Sequence, residues 1–472
     1  ETPLTLFAKV AGEEKHAFLF ESMEGGEKWG RYSFIGLDPL VTFTSRGDQV
    51  TLRVPDHEED LAEIFSSNPL DELKRLLQSF NAVDLPGMPR FYGGAVGFLG
   101  YDMVRCVEKI PCRHPEISCP DSGFMVPRLV LIHDAVQQTL TIVCNVMVDG
   151  KNNHAVEELY HQGCARIDDL IVSLRNPVRV QAPEEKLSHD FSSNMSRDDF
   201  MKMVEAAREY ILAGDIIQVV LSQRFHTTTI LDPFLLYRAL RHINPSPYLF
   251  YLRHEQSILI GSSPEILVRL EQGEIELRPI AGTRKRGRTE AEDLALEQEL
   301  LADPKERAEH LMLVDLGRND VGRVAESGSV EVTDLLVIER YSHVMHIVSG
   351  VRGRLAEGMD QFDVMKACFP AGTVSGAPKI RAMEIIDELE VERRGPYAGA
   401  VGYFGFSGNM DFCIAIRTFV LQENDADENT RDLYIQAGAG IVADSDPVKE
   451  YEETLNKAKG LRRAVELIEK GM

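Results

Sequence analysis

The chain has 472 residues and a formal net charge of −24, from 51 lysine and arginine residues against 75 aspartate and glutamate residues. Hydrophobic residues make up 44% and charged residues 27%, as in an ordinary soluble globular protein. The acidic excess disfavours binding to nucleic acid or to an anionic membrane surface, because both need a basic face. Seven cysteines without a CxxC pair are expected to be free thiols. With no signal peptide and no apolar run of about 18 residues, we expect a cytoplasmic protein.

The first part of the chain is dominated by short apolar runs of the kind that form strands. Segments 129–132 and 140–143 are β-branched and flank a turn at 134–135, and segment 93–100 is apolar and punctuated by glycine. A stretch rich in proline and serine then predicts a linker. It divides the chain into an N-terminal region, 1–175, the linker itself, 176–195, and a C-terminal region, 196–472.

The C-terminal region adds long helices to the strands. Ser196 is a predicted N-cap for a helix that ends before Gly214, and Asp446 followed by Pro447 begins a last helix reaching about residue 470. Between them, 216–221 reads as a buried strand and 290–316 as one long helical stretch. Without regular βαβ alternation, we expect an α+β fold rather than a doubly wound sheet or a TIM barrel.

Two Glu-x-x-Glu pairs could hold a metal ion. Glu306 and Glu309 form one pair, and Glu450 and Glu453 form the other at the start of the last helix. Carboxylates three residues apart project to one side of a helix, and two facing pairs would make the oxygen cage that Mg²⁺ prefers. The same spacing is also common on solvated helix faces, so spacing alone leaves both interpretations open.

Glycine-rich turns supply candidate sites for an anion. Segment 279–284 (PIAGTR) turns through glycine into a hydroxyl and a cation, and 371–379 (AGTVSGAPK) opens a helix with free backbone N–H groups. Segment 436–443 matches a relaxed GxGxxA dinucleotide pattern. Its glycines do not open a helix, so we disfavour a nicotinamide-dependent oxidoreductase.

Three ionisable residues occupy positions that suit chemistry. Glu265 follows a β-rich run and could be a buried general acid, or a carboxylate that caps a turn. His346 lies among apolar residues, where a hydrogen-bonded core histidine is the commoner outcome and a base the alternative. Arg417 ends an apolar strand, so it needs an anionic partner, either a carboxylate of the protein or a substrate.

Taken together and in order, the motifs resemble the chorismate-utilising enzymes, and within them the large subunits of anthranilate synthases. The matching segments are 279–284 (PIAGTR), 306–320 (ERAEHLMLVDLGRND), 342–349 (SHVMHIVS), 372–379 (GTVSGAPK), 399–404 (GAVGYF), 436–440 (QAGAG) and 450–459 (EYEETLNKAK). The resemblance implies packed antiparallel sheets surrounded by helices, with the active site in a cleft. It also implies Mg²⁺-dependent addition of ammonia to C2 of chorismate, loss of the C4 hydroxyl, and elimination of pyruvate to give anthranilate.

The resemblance also assigns roles to residues of this sequence. Glu309 and Glu453 fall on the principal Mg²⁺ positions, and Glu306 and Glu450 on outer positions that hold metal-bound water. The catalytic positions are Glu265 as general acid, His346 as the elimination base, and Thr283. The positions that bind substrate are Gly282, Thr283, Gly376, Ala377, Tyr397, Arg417, Gly438, Gly440 and Lys457.

Two positions distinguish this chain from other chorismate-utilising enzymes. Aminodeoxychorismate synthases usually carry a nucleophilic lysine where this chain has Ala281, and isochorismate and salicylate synthases carry a water-activating lysine where it has Gln218. Both substitutions favour direct attack by ammonia. Component I of aminodeoxychorismate synthase remains the alternative within the class, and a non-catalytic acidic binding protein the alternative outside it.

The resemblance finally implies two partners. The chain lacks a Gly-x-Cys-x-Gly elbow, so a separate glutamine amidotransferase subunit is expected to supply ammonia. Tryptophan is expected to inhibit the enzyme at a site between the N-terminal region and the catalytic core. The residues on the matching positions of that site are Glu21, Ser22, Pro245, Pro247, Tyr248 and Tyr403.

Overall fold

The computed structural model describes residues 1–12, 14–23, 30–55, 57–83, 87–148, 153–178, 188–341, 344–424, 426–427 and 429–471. Of the predicted features, Ser342 and His343 of the SHVMHIVS motif and residues 179–187 of the linker lie outside this part. None of the helices in the described ranges is both long enough and apolar enough to cross a membrane.

The described helices lie around the sheets, and strands separate most of them along the chain. They are α1 (Pro3–Val10), α2 (Pro69–Ser79), α3 (Asn153–Leu174), α4 (Arg197–Leu212), α5 (Pro233–Ile243), α6 (Glu290–Ala302), α7 (Pro304–Gly322), α8 (Gln361–Cys368), α9 (Lys379–Leu389) and α10 (Pro447–Glu469).

The strands pair antiparallel throughout the described residues. They are β1 (His16–Glu21), β2 (Tyr32–Arg46), β3 (Gln49–Val54), β4 (His57–Phe65), β5 (Gly94–Leu99), β6 (Ser122–Asp134), β7 (Thr139–Cys144), β8 (Ser192–Ser193), β9 (Gln218–Thr229), β10 (Tyr248–His254), β11 (Ser257–Ser263), β12 (Ile266–Glu271), β13 (Glu274–Leu277), β14 (Ile280–Lys285), β15 (Glu331–Arg340), β16 (Val344–Arg354), β17 (Gly376–Ala377), β18 (Ala400–Gly405), β19 (Met410–Ile414), β20 (Thr418–Glu423) and β21 (Arg431–Ile441).

Two sheets share the long strands β2 and β6. One sheet runs β7-β6-β2-β1-β10-β11-β20-β21-β9, and the other runs β3-β2-β6-β5-β18-β19-β12-β13-β16. The register of β2 against β6 shifts between Pro39 and Val41, next to Asp38 with φ +52°. Such a bulge bends a strand, so each long strand leaves one sheet and enters the other there.

The apolar core fills the space between and around these sheets. One cluster holds residues of both, among them Phe18 and Phe250 from the first sheet and Val401 and Cys413 from the second. A second cluster packs α5 and α10 against the first sheet, and a third packs α8 and α9 against the second. The architecture confirms the predicted α+β fold of packed antiparallel sheets surrounded by helices.

Most of the predicted elements are confirmed, but one strand begins later than predicted and one predicted helix is divided into two. Ser196 accepts the Asp199 N–H at the start of α4, and Gly214 follows the helix with φ +85°. Strand β9 begins at Gln218, two residues later than predicted. The stretch 290–316 is not one helix but two, because Asp303 caps α7 and Pro304 cannot donate a hydrogen bond within a continuing helix.

The N-terminal region contributes strands directly to both sheets. Strand β1 pairs with β10, and β5 pairs with β18. In the predicted linker, Ser192 and Ser193 form β8 against β9. The division at 176–195 stays a prediction about chain organisation.

Candidate active site

Strands β14 and β16 bring Thr283 opposite His346. The two residues are register partners, and the register shifts between Ala281 and Thr283, where Gly282 has φ +69°. A side chain at Gly282 would meet Glu306 and Ile347 at 3.1 Å and would be strained by the positive φ. The bulge therefore needs glycine, and it aims Thr283 at the imidazole.

His346 is held as a neutral ring. Its Nδ1 lies 3.1 Å from the Gly282 carbonyl oxygen and 3.0 Å from the Thr283 hydroxyl. A carbonyl only accepts, so Nδ1 carries the proton and Nε2 keeps a lone pair. Burial lowers the pKa of His346, and the charge of Arg417 lowers it further. This arrangement suits a base, although sequence alone favoured a core histidine.

Glu265 is buried at the junction of β11 and β12. Burial raises its pKa to about 8, against the opposing effects of the Thr373 hydroxyl, the Ile280 N–H, and the charges of Lys457 and Arg417. Desolvation therefore outweighs four groups that favour the carboxylate. At neutral pH this side chain carries a proton that it can donate, which separates it from an ordinary turn carboxylate.

Arg417 lies between β19 and β20 in a left-handed conformation, with φ +50°. Its guanidinium donates to the Asn244 side-chain oxygen at 3.4 Å. Its charge acts on both Glu265 and His346, which places the acid, the base and this cation in one site. A non-glycine residue held at positive φ is a common mark of functional sites.

The first Glu-x-x-Glu pair projects from the start of α7. Glu306 accepts from Arg284 at 2.9 Å, and Arg284 also binds Asp303 at 2.9 Å. Glu309 accepts from the Gln218 amide at 3.2 Å. Burial raises the pKa of Glu309, and the charges of Glu306 and Glu453 raise it further.

The second pair projects from the first turns of α10. Glu453 forms an ion pair with Lys457 at 2.8 Å, and the same ammonium donates to the Gly438 carbonyl at 2.9 Å. Burial and the charge of Glu453 raise the pKa of Glu450, opposed by a hydrogen bond from Ser445. Lys457 thus ties the helix to the glycines of β21.

The two carboxylate pairs fit a hard divalent cation by their chemistry. Within the described ranges, no three His, Cys, Asp or Glu side chains come together as a formed metal site. The mutual repulsion of Glu309 and Glu453 nevertheless indicates that both pairs face one region. Carboxylate oxygens are the hard ligands that Mg²⁺ prefers, and a bound cation would relieve that repulsion.

The remaining substrate positions lie on neighbouring backbone segments. Gly376 and Ala377 pair with the start of β9, where Ala377 is the partner of Gln218. A side chain at Gly440 would meet the Gln218 amide at 2.6 Å, and one at Gly438 would meet the Tyr397 hydroxyl at 2.7 Å. These contacts place Gly376, Ala377 and Gly440 beside Gln218 and Gly438 beside Tyr397, and Lys457 joins α10 to the same strand, β21.

A second predicted site lies between the two sheets. Five of its six residues line one cavity, namely Glu21, Ser22, Pro247, Tyr248 and Tyr403, whereas Pro245 is not among the lining residues. Its wall is charged: Arg269 donates to Asp411 at 3.0 Å and to the Tyr248 hydroxyl at 3.1 Å. Glu21 accepts from Tyr237 at 2.6 Å and from Arg241 at 3.1 Å, which fixes β1 to α5.

Three groups of the site were not identified from the sequence as functional. Asn244 binds Arg417, Thr373 acts on Glu265, and Arg284 holds Glu306. All three lie within or next to the sequence motifs described above. A motif does not show, however, which charged residue each of these side chains contacts in the folded protein. Gln218 was noted only as lacking basicity, whereas it also contacts Glu309.

Comparisons with known proteins identify the family of the chain. A family model described as chorismate binding enzyme matches residues 15–463. Anthranilate synthase component 1 of Aquifex aeolicus is 49% identical over 474 residues, covering 99% of this chain and 93% of that protein. The Synechocystis protein of the same name is 48% identical, covering 98% and 94%.

Solved structures show the same fold. Anthranilate synthase component I of Streptococcus pneumoniae superimposes with a TM-score of 0.78 at 37% identity, covering 93% of this chain and 95% of that one. The menaquinone-specific isochorismate synthase of Escherichia coli, at 20% identity and a TM-score of 0.73 over 98% of this chain and 91% of that one, shares the fold. The chain therefore belongs to the chorismate-binding enzymes, among which the relatives it matches at nearly half identity are anthranilate synthase component 1 proteins.

Proposed function

We propose that the chain is the synthase subunit of an anthranilate synthase, a lyase that converts chorismate and ammonia to anthranilate, pyruvate and water. The observation that carries the proposal is a protonated, buried acid, Glu265, facing the same cationic cleft as a neutral base, His346. The pKa of the acid is raised and the pKa of the base is lowered, so at neutral pH the acid can donate a proton and the base can accept one. An addition followed by an elimination requires both.

In the first step ammonia forms a bond to C2 of chorismate, the C1=C2 pair moves to C1=C6, the C5=C6 pair moves to C4=C5, and the C4–O bond breaks. Glu265 gives its proton to the departing oxygen, which leaves as water, and the new amine loses its extra proton to solvent. Arg417 and Lys457 supply the positive charge that a dicarboxylate substrate needs for binding and orientation.

In the second step His346 removes the C2 proton through Nε2. The C3–O bond breaks, the ring becomes aromatic, and enolpyruvate leaves and takes up a proton to give pyruvate. Thr283 and the Gly282 carbonyl hold Nδ1, so that the lone pair of the ring stays on the side of the substrate.

We infer that Mg²⁺ is the cofactor, with Glu309 and Glu453 as its principal ligands and Glu306 and Glu450 holding its water. When bound, it would neutralise the ring carboxylate of chorismate. Arg284 and Lys457, which now pair with Glu306 and Glu453, would keep these carboxylates in place for it.

Two residues support ammonia rather than water or a lysine amine as the nucleophile. Ala281 offers no amine next to the cleft, and Gln218 is a neutral amide already bound to Glu309. The named relatives likewise favour anthranilate synthase over the aminodeoxychorismate alternative.

Three finer inferences complete the proposal. A glutamine amidotransferase subunit supplies ammonia, which fits the "component 1" in the names of the relatives. Tryptophan binds the cavity lined by Glu21, Tyr248 and Tyr403 and inhibits the enzyme. The protein is cytoplasmic, in keeping with its seven free thiols.

Product analysis tests the proposal. The purified chain is incubated with chorismate, Mg²⁺ and ¹⁵N-labelled ammonium, and both products are quantified. We expect anthranilate carrying ¹⁵N and pyruvate in equal amounts. An aminated product that retains the enolpyruvyl group would assign the aminodeoxychorismate branch, and a hydroxylated product without ¹⁵N would refute amination altogether.

A further inference from the structure

His310 is a buried histidine that none of the steps described above uses. Its side chain is completely buried, and its Nε2 lies 2.6 Å from the hydroxyl oxygen of Ser349, which is completely buried as well. Within the described ranges the other ring nitrogen, Nδ1, has no hydrogen-bond partner. The hydrogen bonding of this imidazole to the described part of the chain therefore depends on Ser349.

Ser349 is fixed by hydrogen bonds to two further segments. Its backbone N–H donates to the Pro279 carbonyl at 3.3 Å, directly before β14, and its hydroxyl oxygen accepts from the Leu336 N–H of β15 at 3.0 Å. A hydroxyl has two lone pairs and one proton, so it can bond to Leu336 and to His310 at the same time. Ser349 thus links α7 to three neighbouring segments of the sheet, including its own strand, β16.

The backbone of β15 is distorted where it binds Ser349. The register passes from Thr333 to Val337 on β15 while β16 advances by only two residues, so three residues of β15 lie opposite Ser349 alone. Two of the three, Asp334 and Leu336, have φ of +49° and +57°, a region that residues other than glycine rarely adopt. This bulge turns the Leu336 N–H towards the hydroxyl instead of the strand ladder, and such strained backbone is concentrated at functional sites.

His310 shares α7 with the first pair of proposed metal ligands. It follows Glu309 directly and lies four residues after Glu306, so His310 and Glu306 occupy one face of the helix, one turn apart. A hydrogen bond that stops the helix from turning about its axis at His310 therefore fixes the direction in which both carboxylates point.

A small rotation of this helix would matter to a bound Mg²⁺. Side chains reach about 5–6 Å from the axis of an α-helix, so a rotation of about 10° moves a carboxylate by about 1 Å. Mg²⁺ demands near-octahedral geometry with metal–oxygen distances of about 2.1 Å. A displacement of half that distance would be enough to weaken the site.

We propose that His310 is a positioning residue for the metal site, which holds α7 against β16 through Ser349 so that Glu306 and Glu309 point towards the bound cation. The inference rests on the proposed function, which assigns Mg²⁺ to these carboxylates. Ser349 lies three residues after His346 on β16, so the same bond joins the helix of the metal ligands to the strand of the base. In this role the imidazole contacts neither the metal nor the substrate.

Breaking the bond from either side tests this role. Ser349→Ala removes the partner of His310, and His310→Leu removes the imidazole. His310→Gln is the conservative variant, because an amide can donate to or accept from the Ser349 hydroxyl. Ser45→Ala is the matched control, since it breaks a 2.6 Å hydrogen bond to Ser122 between two completely buried hydroxyls of β2 and β6. If Ser349→Ala does not fold, judged by circular dichroism, Ser349→Cys replaces it, because a thiol is only a weak hydrogen-bond partner.

The readout is the Kd for Mg²⁺, measured by isothermal titration calorimetry with chorismate present and ammonium absent, so that no turnover occurs. We expect this Kd to rise about tenfold in Ser349→Ala and His310→Leu, as when other residues that orient metal ligands are replaced, and to stay within about threefold in His310→Gln. Ser45→Ala should lower the melting temperature about as much as Ser349→Ala but leave the Kd within about twofold. Activity should return at Mg²⁺ concentrations above the raised Kd, because Glu265 and His346 are unchanged.

The failures of the two proposals can be told apart. If the unmodified chain makes no anthranilate from ammonium and Mg²⁺, the proposed function fails. If it makes anthranilate and binds Mg²⁺ but the Kd is unchanged in Ser349→Ala and His310→Leu, only the positioning role fails. Equal rises in Kd in Ser349→Ala and Ser45→Ala would also overturn that role, because the loss of stability alone would then explain the weaker binding.

Discussion

Replacing Glu265 with glutamine should separate catalysis from stability. The glutamine keeps the shape of the protonated acid but has no proton to donate to the C4 oxygen. Loss of a general acid costs about 10²–10⁴-fold in rate. We therefore expect kcat for anthranilate formation to fall by that factor in Glu265→Gln, with KM for chorismate little changed.

The same variant should be more stable than the unmodified chain at neutral and alkaline pH. The pKa of Glu265 rises from 4.5 to about 8 on folding, so the folded state holds its proton more tightly than the unfolded state. Below pH 4.5 both states are protonated and no difference arises. Between 4.5 and about 8, ionisation in the unfolded state costs the native protein about 1.4 kcal/mol per pH unit, up to about 5 kcal/mol.

Denaturant unfolding at pH 4, 6 and 8, together with steady-state kinetics, measures both effects. Glu423→Gln, at an exposed strand end, is the matched control and should change neither. Wild-type kcat in Glu265→Gln would refute the general-acid role. A stability difference that does not grow between pH 4 and 8 would refute the buried, protonated state.

Three further predictions address the other groups. His346→Ala should lower kcat for anthranilate and let an aminated, enolpyruvyl-bearing intermediate accumulate, seen by mass spectrometry; unchanged product ratios would contradict its role as the base. Glu309→Gln and Glu453→Gln should raise the Mg²⁺ concentration for half-maximal activity about tenfold or more. The control Glu452→Gln, at an exposed position next to Glu453, should not change it. Equal Mg²⁺ dependence in all three variants would show that Glu309 and Glu453 do not bind the metal. Tyr403→Ala should weaken inhibition by tryptophan and retain basal activity, because the Tyr403 ring lines that cavity and packs against Phe91 with ring centroids 4.4 Å apart. Full inhibition of the variant would place tryptophan elsewhere.

The sequence predicts those helix ends that depend only on interactions between residues close together in the chain. Ser196, Gly214 and Asp446 begin or end helices because their side chain or their freedom in φ satisfies backbone groups within a few residues. Asp303 and Pro304 carry the same kind of signal. They lie within a continuous helical pattern, and that pattern alone predicts one helix where two exist.

Long-range placement could not be derived from such signals. The spacing of Glu306 and Glu309 is the same on a solvated face and in a metal site, and only the meeting of α7 with the start of α10 distinguishes the two. The pKa of Glu265 depends on burial, which raises it, and on hydrogen bonds and charges from residues 15 to 192 positions along the chain, namely Thr373, Ile280 and Lys457, which lower it. The resemblance to a family supplied these long-range relations, whereas composition and periodicity did not.

The proposed conversion of chorismate to anthranilate by this chain is tested most directly by anthranilate fluorescence. The purified chain is given chorismate and Mg²⁺ and is supplied in turn with ammonium and with glutamine. We expect fluorescence to appear with ammonium, to disappear with a chelator, and to be absent with glutamine until an amidotransferase subunit is added. Chorismate consumption without fluorescence, or no consumption by the folded chain at any ammonium concentration, would contradict the claim.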